Sequence, residues 1–281
     1  MNKYQWITAG TAVALLILIF AFRDETPPRK ASAADATATA PSLSIDSILV
    51  HARESLRPDQ IDRIGFLEKS IGRGDVSEQQ LHIYHQLARF WQDTAQNFVV
   101  SNWYRAEAAR LENSEKNLTF AAHLFLDSLR EERNDLLRQW EAQQAKELFE
   151  RALKINPNND SSKIGLGTVY LFGGITENPM QGIQMIREVI NRDSTNVYGQ
   201  MMLGYGSAFS GQYDKAADRF EKVLSIDKAN MEAVLMLVRI GEAYEKEGKT
   251  KEAVSLYEKA LPLLRADWKP ELKARIDQLK N

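Results

Sequence analysis

The chain contains no cysteine. That absence removes disulfides, thiolate metal sites and a thiol nucleophile, and it suits either redox compartment. Proline and glycine are few, at 8 and 15 of 281 residues, and no stretch alternates polar and apolar residues as a half-buried strand does. A charge excess of one sign is missing too: the formal net charge is −2, so there is no global basic field for a nucleic-acid backbone, and nucleic acid is not expected as a partner. What is present is the composition of a folded protein, 44% hydrophobic and 26% charged, patterned throughout as helix. The expected class is all-α.

One long apolar run stands apart from the rest. Residues Tyr4 to Phe22 carry no charge, with Lys3 before them and Arg23 after. As a helix, Trp6 to Phe22 would span about 26 Å against a hydrocarbon core of ~30 Å. Tyr4 and Trp6 suit one membrane interface and Arg23 the other. A cleaved signal peptide competes, because Ala31-Ser32-Ala33 supplies a small-residue cleavage pattern. The charged stretch RDETPPRK lies between the run and that pattern and weakens this alternative. Residues 1–23 are therefore read as a transmembrane signal anchor. Lys3 and the amino terminus on one side, against Arg23, Arg29 and Lys30 on the other, do not favour export by charge count. The short tail before the only apolar segment is nonetheless the layout of a signal anchor. The expectation is a single-pass protein of the bacterial inner membrane with a periplasmic domain.

Residues 24–43 are small and polar and form a flexible linker. Residues 44–76 read as N-terminal helices, with Pro58 in a first turn and Gly72 to Asp75 closing the segment. The tripeptide Arg73-Gly74-Asp75 is turn punctuation in that reading, in preference to an adhesion motif. From Ser77 onward the chain alternates helix and short turn.

A repeat underlies this alternation. In MLGYGSAFSGQYDKAADRFEKVLSID and RIGEAYEKEGKTKEAVSLYEKALPL, Gly204 matches Gly241, Gly211 matches Gly248, Ala216 matches Ala253 and Phe220 matches Tyr257. Tyr244 and Ala260 complete the second copy. Upstream, Gly167 and Tyr170 occupy a first helix. Ala145, Phe149, Ala152 and Pro157 fit a second helix and its exit turn. The pattern resembles the tetratricopeptide repeat (TPR) family, in which L-G-x-x-Y in one helix is followed by A-x-x-x-F and then proline in the next. The resemblance is strong from Gln143 to Leu264. Residues 77–142 look like degenerate repeats (QLARFW and FAAHLF), 143–266 like repeats proper, and 267–281 like a polar capping helix. The turn FGGITENP adds about three residues to the pattern. The fold implied is a TPR α-solenoid.

No catalytic motif accompanies it. Gly165-Leu166-Gly167 lacks the third glycine and preceding strand of a dinucleotide loop. His82, His85 and His123 would have to converge to bind a metal, and neither metal nor cofactor is expected. Asn117-Leu118-Thr119 matches a glycosylation sequon, which carries little without a eukaryotic secretory context. The resemblance places partner peptides or helices on the concave face lined by first helices. Carried over by register, this points to Ile164, Thr168, Leu171, Tyr198, Met201, Tyr205 and Glu242, with His85, Arg89, Thr119 and His123 upstream. Packing between repeats competes with binding for each of these side chains. Thr168, Met201 and Met202 stand where chaperone-binding relatives carry carboxylate-clamping residues. The groove so drawn is apolar and suits an amphipathic helix or extended apolar segment. The expected role is a non-catalytic, membrane-tethered scaffold for a protein or peptide partner in envelope protein assembly or maturation. The alternatives are a TPR component of cytochrome c maturation and a structural protein that self-associates as a homo-oligomer.

Overall fold

The computed structural model describes residues 43–71 and 77–281. The anchor, the linker up to residue 42 and the Gly72–Asp75 turn lie outside the described residues. Among the described residues there is no strand, and no helix is long and apolar enough to cross a membrane.

Helices α1 (Ile45–Arg53) and α2 (Pro58–Ile71) precede a stack of helix pairs. The pairs are α3 (Ser77–Arg89) with α4 (Phe98–Glu112), α5 (Glu115–Glu131) with α6 (Asp135–Ile155), α7 (Asp160–Phe172) with α8 (Met180–Arg192), α9 (Val197–Phe209) with α10 (Tyr213–Ile226), and α11 (Met231–Lys246) with α12 (Thr250–Ala260). A π-helical turn, Phe90–Thr94, extends α3, and α13 (Lys269–Lys280) ends the chain. Each helix packs on its partner, and each pair packs on the next. The buried side chains form three successive clusters around Trp91, around Phe125 and Phe149, and around Phe220 and Tyr257. Helix α6 runs unbroken through residues 142 and 143. The boundary expected there falls inside a helix, and the natural unit is the whole α5–α6 pair.

The turns repeat as the helices do. Within the last two full pairs, Gly211 and Gly248 have φ of 71° and 74°, a left-handed conformation in which a Cβ would be strained. The amides that follow reach back one turn, Gln212 to the Ser207 carbonyl at 2.9 Å and Lys249 to the Tyr244 carbonyl at 2.8 Å, which closes each helix in a Schellman motif. Between pairs, Asn159, Asn196 and Asn230 each accept from an amide three residues on, at 2.8, 2.9 and 3.0 Å. Each thereby caps the next first helix.

Within each of these two pairs a ring of the second helix lies on bare backbone of the first. A methyl group built on Gly204 would sit 2.8 Å from the Phe220 ring, and one on Gly241 would fall inside the Tyr257 ring's contact distance. The register inferred from the sequence is therefore the packing register. In the α7–α8 pair backbone meets backbone: a Cβ on Gly167 would lie 2.7 Å from the Gly182 carbonyl oxygen, and one on Gly182 would fall closer still to the Gly167 carbonyl oxygen. Gly206 differs, with only Leu171 at an ordinary 3.5 Å. The same substitution should thus act with opposite signs. Gly241→Ala should destabilise by about 1–3 kcal/mol through overpacking, whereas Gly206→Ala should stabilise by about 0.5–1 kcal/mol through helix propensity. Urea denaturation of both variants checks the pair.

One carboxylate is buried in this stack. Glu141 on α6 is fully shielded from solvent. Ser128 on α5 donates to its Oε1 at 2.6 Å, and Oε2 has no partner. Burial pushes its pKa up from 4.5 to about 7, with the Glu132 charge adding and the Ser128 bond opposing. A group held protonated by the fold contributes stability that is complete below its unfolded pKa and lost as pH rises through its folded pKa. Stability should therefore fall by about 3 kcal/mol as pH rises from about 4.5 to about 7. Glu141→Gln should flatten that segment of the profile, read as urea midpoints across the range.

Candidate functional site: the inner helix face

The first helices of successive pairs, α5, α7 and α9, lie side by side and make the inner face. On α5, His123, Asp127 and Arg130 follow one another at helical spacing, and on α9 so do Tyr198, Met201 and Tyr205. These two stripes meet. The His123 ring stands edge-on to Tyr198, with centroids 5.6 Å apart, and to Phe149 of α6 at 5.1 Å. The Arg130 guanidinium lies 4.4 Å over the Tyr205 ring. It is also 3.5 Å from a carboxylate oxygen of Glu232 at the start of α11, and that carboxylate accepts from the Tyr205 hydroxyl.

Helix α7 lies between α5 and α9, and what it carries explains how they reach each other. Its Gly165 meets the Phe149 ring and its Gly167 the backbone of Gly182. With no side chains at these contacts, α7 settles deep into the second-helix layer. Ile164 and Thr168 on its inner stripe are 0% exposed, and Met201 of α9 is 4% exposed. This corrects the sequence reading: those three positions were placed on a groove surface, and the structure puts them in the interior. Leu171 and Tyr198 are half-buried, as is Tyr205. The sequence-selected residues of α5, α7 and α9 do converge, but largely on one another.

Polar contacts secure the same region. His123 Nε2 is 2.9 Å from Ser161 Oγ, and Thr119 Oγ1 is 2.7 Å from Ser162 Oγ. Burial holds the His123 pKa below the usual imidazole value, with Asp127 opposing. The Tyr198 hydroxyl is buried beside Thr168 without a hydrogen bond of good geometry. Burial first, and the Asp127 charge next, push its pKa up. Burial and then the Glu232 contacts do the same for Tyr205, so both phenols stay protonated. Among the described residues no carboxylate is hydrogen-bonded to the imidazole behind Ser161, so this pair lacks the orienting third group of a nucleophilic triad. No group of three His, Asp or Glu among the described residues could hold a metal ion. His82 and His85 are exposed on α3, while His123 is committed to Ser161 and two rings.

The remaining candidates lie elsewhere. His85 and Arg89 line a polar hollow of about 480 Å³ with Gln92, Arg105, Glu112 and Phe120. Glu242 borders a larger hollow of about 940 Å³ between α11 and α13. Its apolar lining is Leu235 and Val238 on α11, with Trp268, Leu272 and Leu279 at and on α13. At its edge Arg275 pairs with Glu245 at 2.7 Å, and the Tyr257 hydroxyl donates to the same carboxylate at 2.7 Å. Sequence reasoning took the α13 segment as a solubilising cap and missed this wall. The signal available was the pairing of Leu272 with Leu279 and of Trp268 with Leu272 at helical spacings of seven and four.

The tetratricopeptide repeat family matches residues 210–276. No curated protein matches the chain. Among solved structures, the chain is similar to MamA from Desulfovibrio magneticus RS-1 at 18% identity, covering 68% of this chain and 96% of that one with a TM-score of 0.45. It is similar to a thermophilic TPR protein of Thermus thermophilus at 15% identity, with 73% and 98% covered and a TM-score of 0.45. YrrB, described as a TPR protein with an unusual peptide-binding site, matches at 16% identity, with 74% and 97% covered and a TM-score of 0.41. The family match, the glycine-on-ring register and the repeated turns together make residues 210–276 a tetratricopeptide repeat segment.

Proposed function

We propose that this protein is a non-catalytic scaffold that holds a protein or peptide partner on its inner face. The supporting observation is the hollow between α11 and α13. Aliphatic side chains and Trp268 line it together with carboxylates, a lysine and an arginine. A volume of about 940 Å³ admits several partner side chains, and an apolar floor with a charged rim suits an amphipathic helix. In this reading the apolar run Tyr4–Phe22 anchors the chain in the bacterial inner membrane, with the helical stack in the periplasm. Tethering would confine the hollow to partners near the bilayer and raise its effective concentration for them. The work served would be assembly or maturation of envelope proteins.

A photo-crosslinking amino acid at Glu242, which is exposed on the hollow's rim, should give a discrete adduct in intact membranes. The same probe at Ser225, exposed on α10, should not. Identical adduct patterns from the two positions would refute the inner-face assignment.

A further inference from the structure

The middle of the inner face is closed by contacts unlike those that build the stack. Second-helix rings on glycine backbone are apolar and buried, as at Phe220 and Tyr257. The contact of α5 with α9 and α11 adds to the His123–Tyr198 ring pair a polar bridge of one cation, one phenol and one carboxylate: Arg130 over Tyr205, Arg130 beside Glu232, and Tyr205 donating to Glu232. These three residues come from three separate helices, and α5 reaches both α9 and α11 past the intervening α7. The Glu232 side chain is 60% exposed, so solvent and salt reach the bridge. On α7, Ile164 and Thr168 are fully buried, and half-buried Leu171 lies against Gly206 of α9. Closure also leaves the Tyr198 hydroxyl buried without a good hydrogen bond, an unfavourable state that opening would relieve by hydration.

We propose that the Arg130–Tyr205–Glu232 bridge is a latch that holds the central inner face shut, and that its release lets α5 move off α9 and present the α7 stripe. The latch has two requirements that the geometry meets. Its members must sit on helices that can separate without dismantling a pair, and α5, α9 and α11 each belong to a different pair. It must also be weaker than the pair contacts, and exposed charge contacts are weakened by salt whereas buried ring packing is not. Asp127, on the same face of α5, is the other charge that acts at this seam. The inference goes beyond partner binding at the α11–α13 hollow, and its test needs no partner.

Because the chain has no cysteine, a single engineered thiol reports local opening. Thr168→Cys places one under the closure, and Val169→Cys places one on the same helix in the buried cluster with Phe149. Full-length protein in detergent, carrying either thiol, would be reacted with a maleimide with and without Arg130→Gln and Glu232→Gln. The latch predicts that the double change speeds labelling at position 168 about tenfold, equivalent to about 1.4 kcal/mol of opening. Labelling at position 169 should stay unchanged, and 1 M salt should reproduce the effect in the unaltered background. No acceleration at 168, or an equal acceleration at 168 and 169, would overturn the proposal, since the bridge would then be decorative or merely part of global stability.

Discussion

Close approach of an aromatic ring to a helix backbone is the constraint on which this structure depends. Gly204 under Phe220 and Gly241 under Tyr257 fix the distance between the two helices of a pair. A ring placed directly on backbone excludes a Cβ but gains tight dispersion contact. The depth of one pair then sets how its neighbours sit. At α7 one such contact, the Phe149 ring on Gly165, operates together with a backbone-to-backbone approach of Gly167 and Gly182, so this helix is set low between α5 and α9. Those two helices then meet over it through His123 and Tyr198 and through Arg130 and Tyr205. A local steric rule thus produces a closed inner face three helices wide.

The consequence for binding is a division of the inner face. Its middle is largely occupied by the protein's own side chains, with a hollow of about 310 Å³ left at His123, Ser161, Ile164, Asn196 and Tyr198, while the larger hollow between α11 and α13 remains open with an apolar lining. The two regions share helix α11. Glu232 in its first turn belongs to the closure, and Leu235, Val238 and Glu242 further along belong to the hollow.

Much of this was legible in the sequence. The matching of Gly204 with Gly241 and of Phe220 with Tyr257 gave the packing register directly, because a missing side chain opposite a ring is a steric necessity that leaves a residue-level trace. The asparagine caps left a trace too: Asn156, Asp193 and Asp227 each stand three residues before a capping asparagine, a spacing the sequence reading passed over. What was not legible is how far neighbouring pairs close on each other. Register alone shows that Ile164, Thr168 and Met201 face inward, but whether inward means solvent or another helix depends on how deep α7 sits. That depth results from several glycine contacts acting together and from no single motif. The boundary at 142/143 failed for a related reason: repeat matching begins where the consensus strengthens, whereas α6 is one helix and folds as such.

The meeting of α5 and α9 across α7 is the central claim, and aromatic proton NMR addresses it most directly. His123 should show a nuclear Overhauser contact with Tyr198, two pairs further along the chain, as well as with Phe149 on the partner of its own helix. Both contacts together are the result this account predicts. A His123–Phe149 contact without a His123–Tyr198 contact would show that the inner face is open in solution and would contradict it.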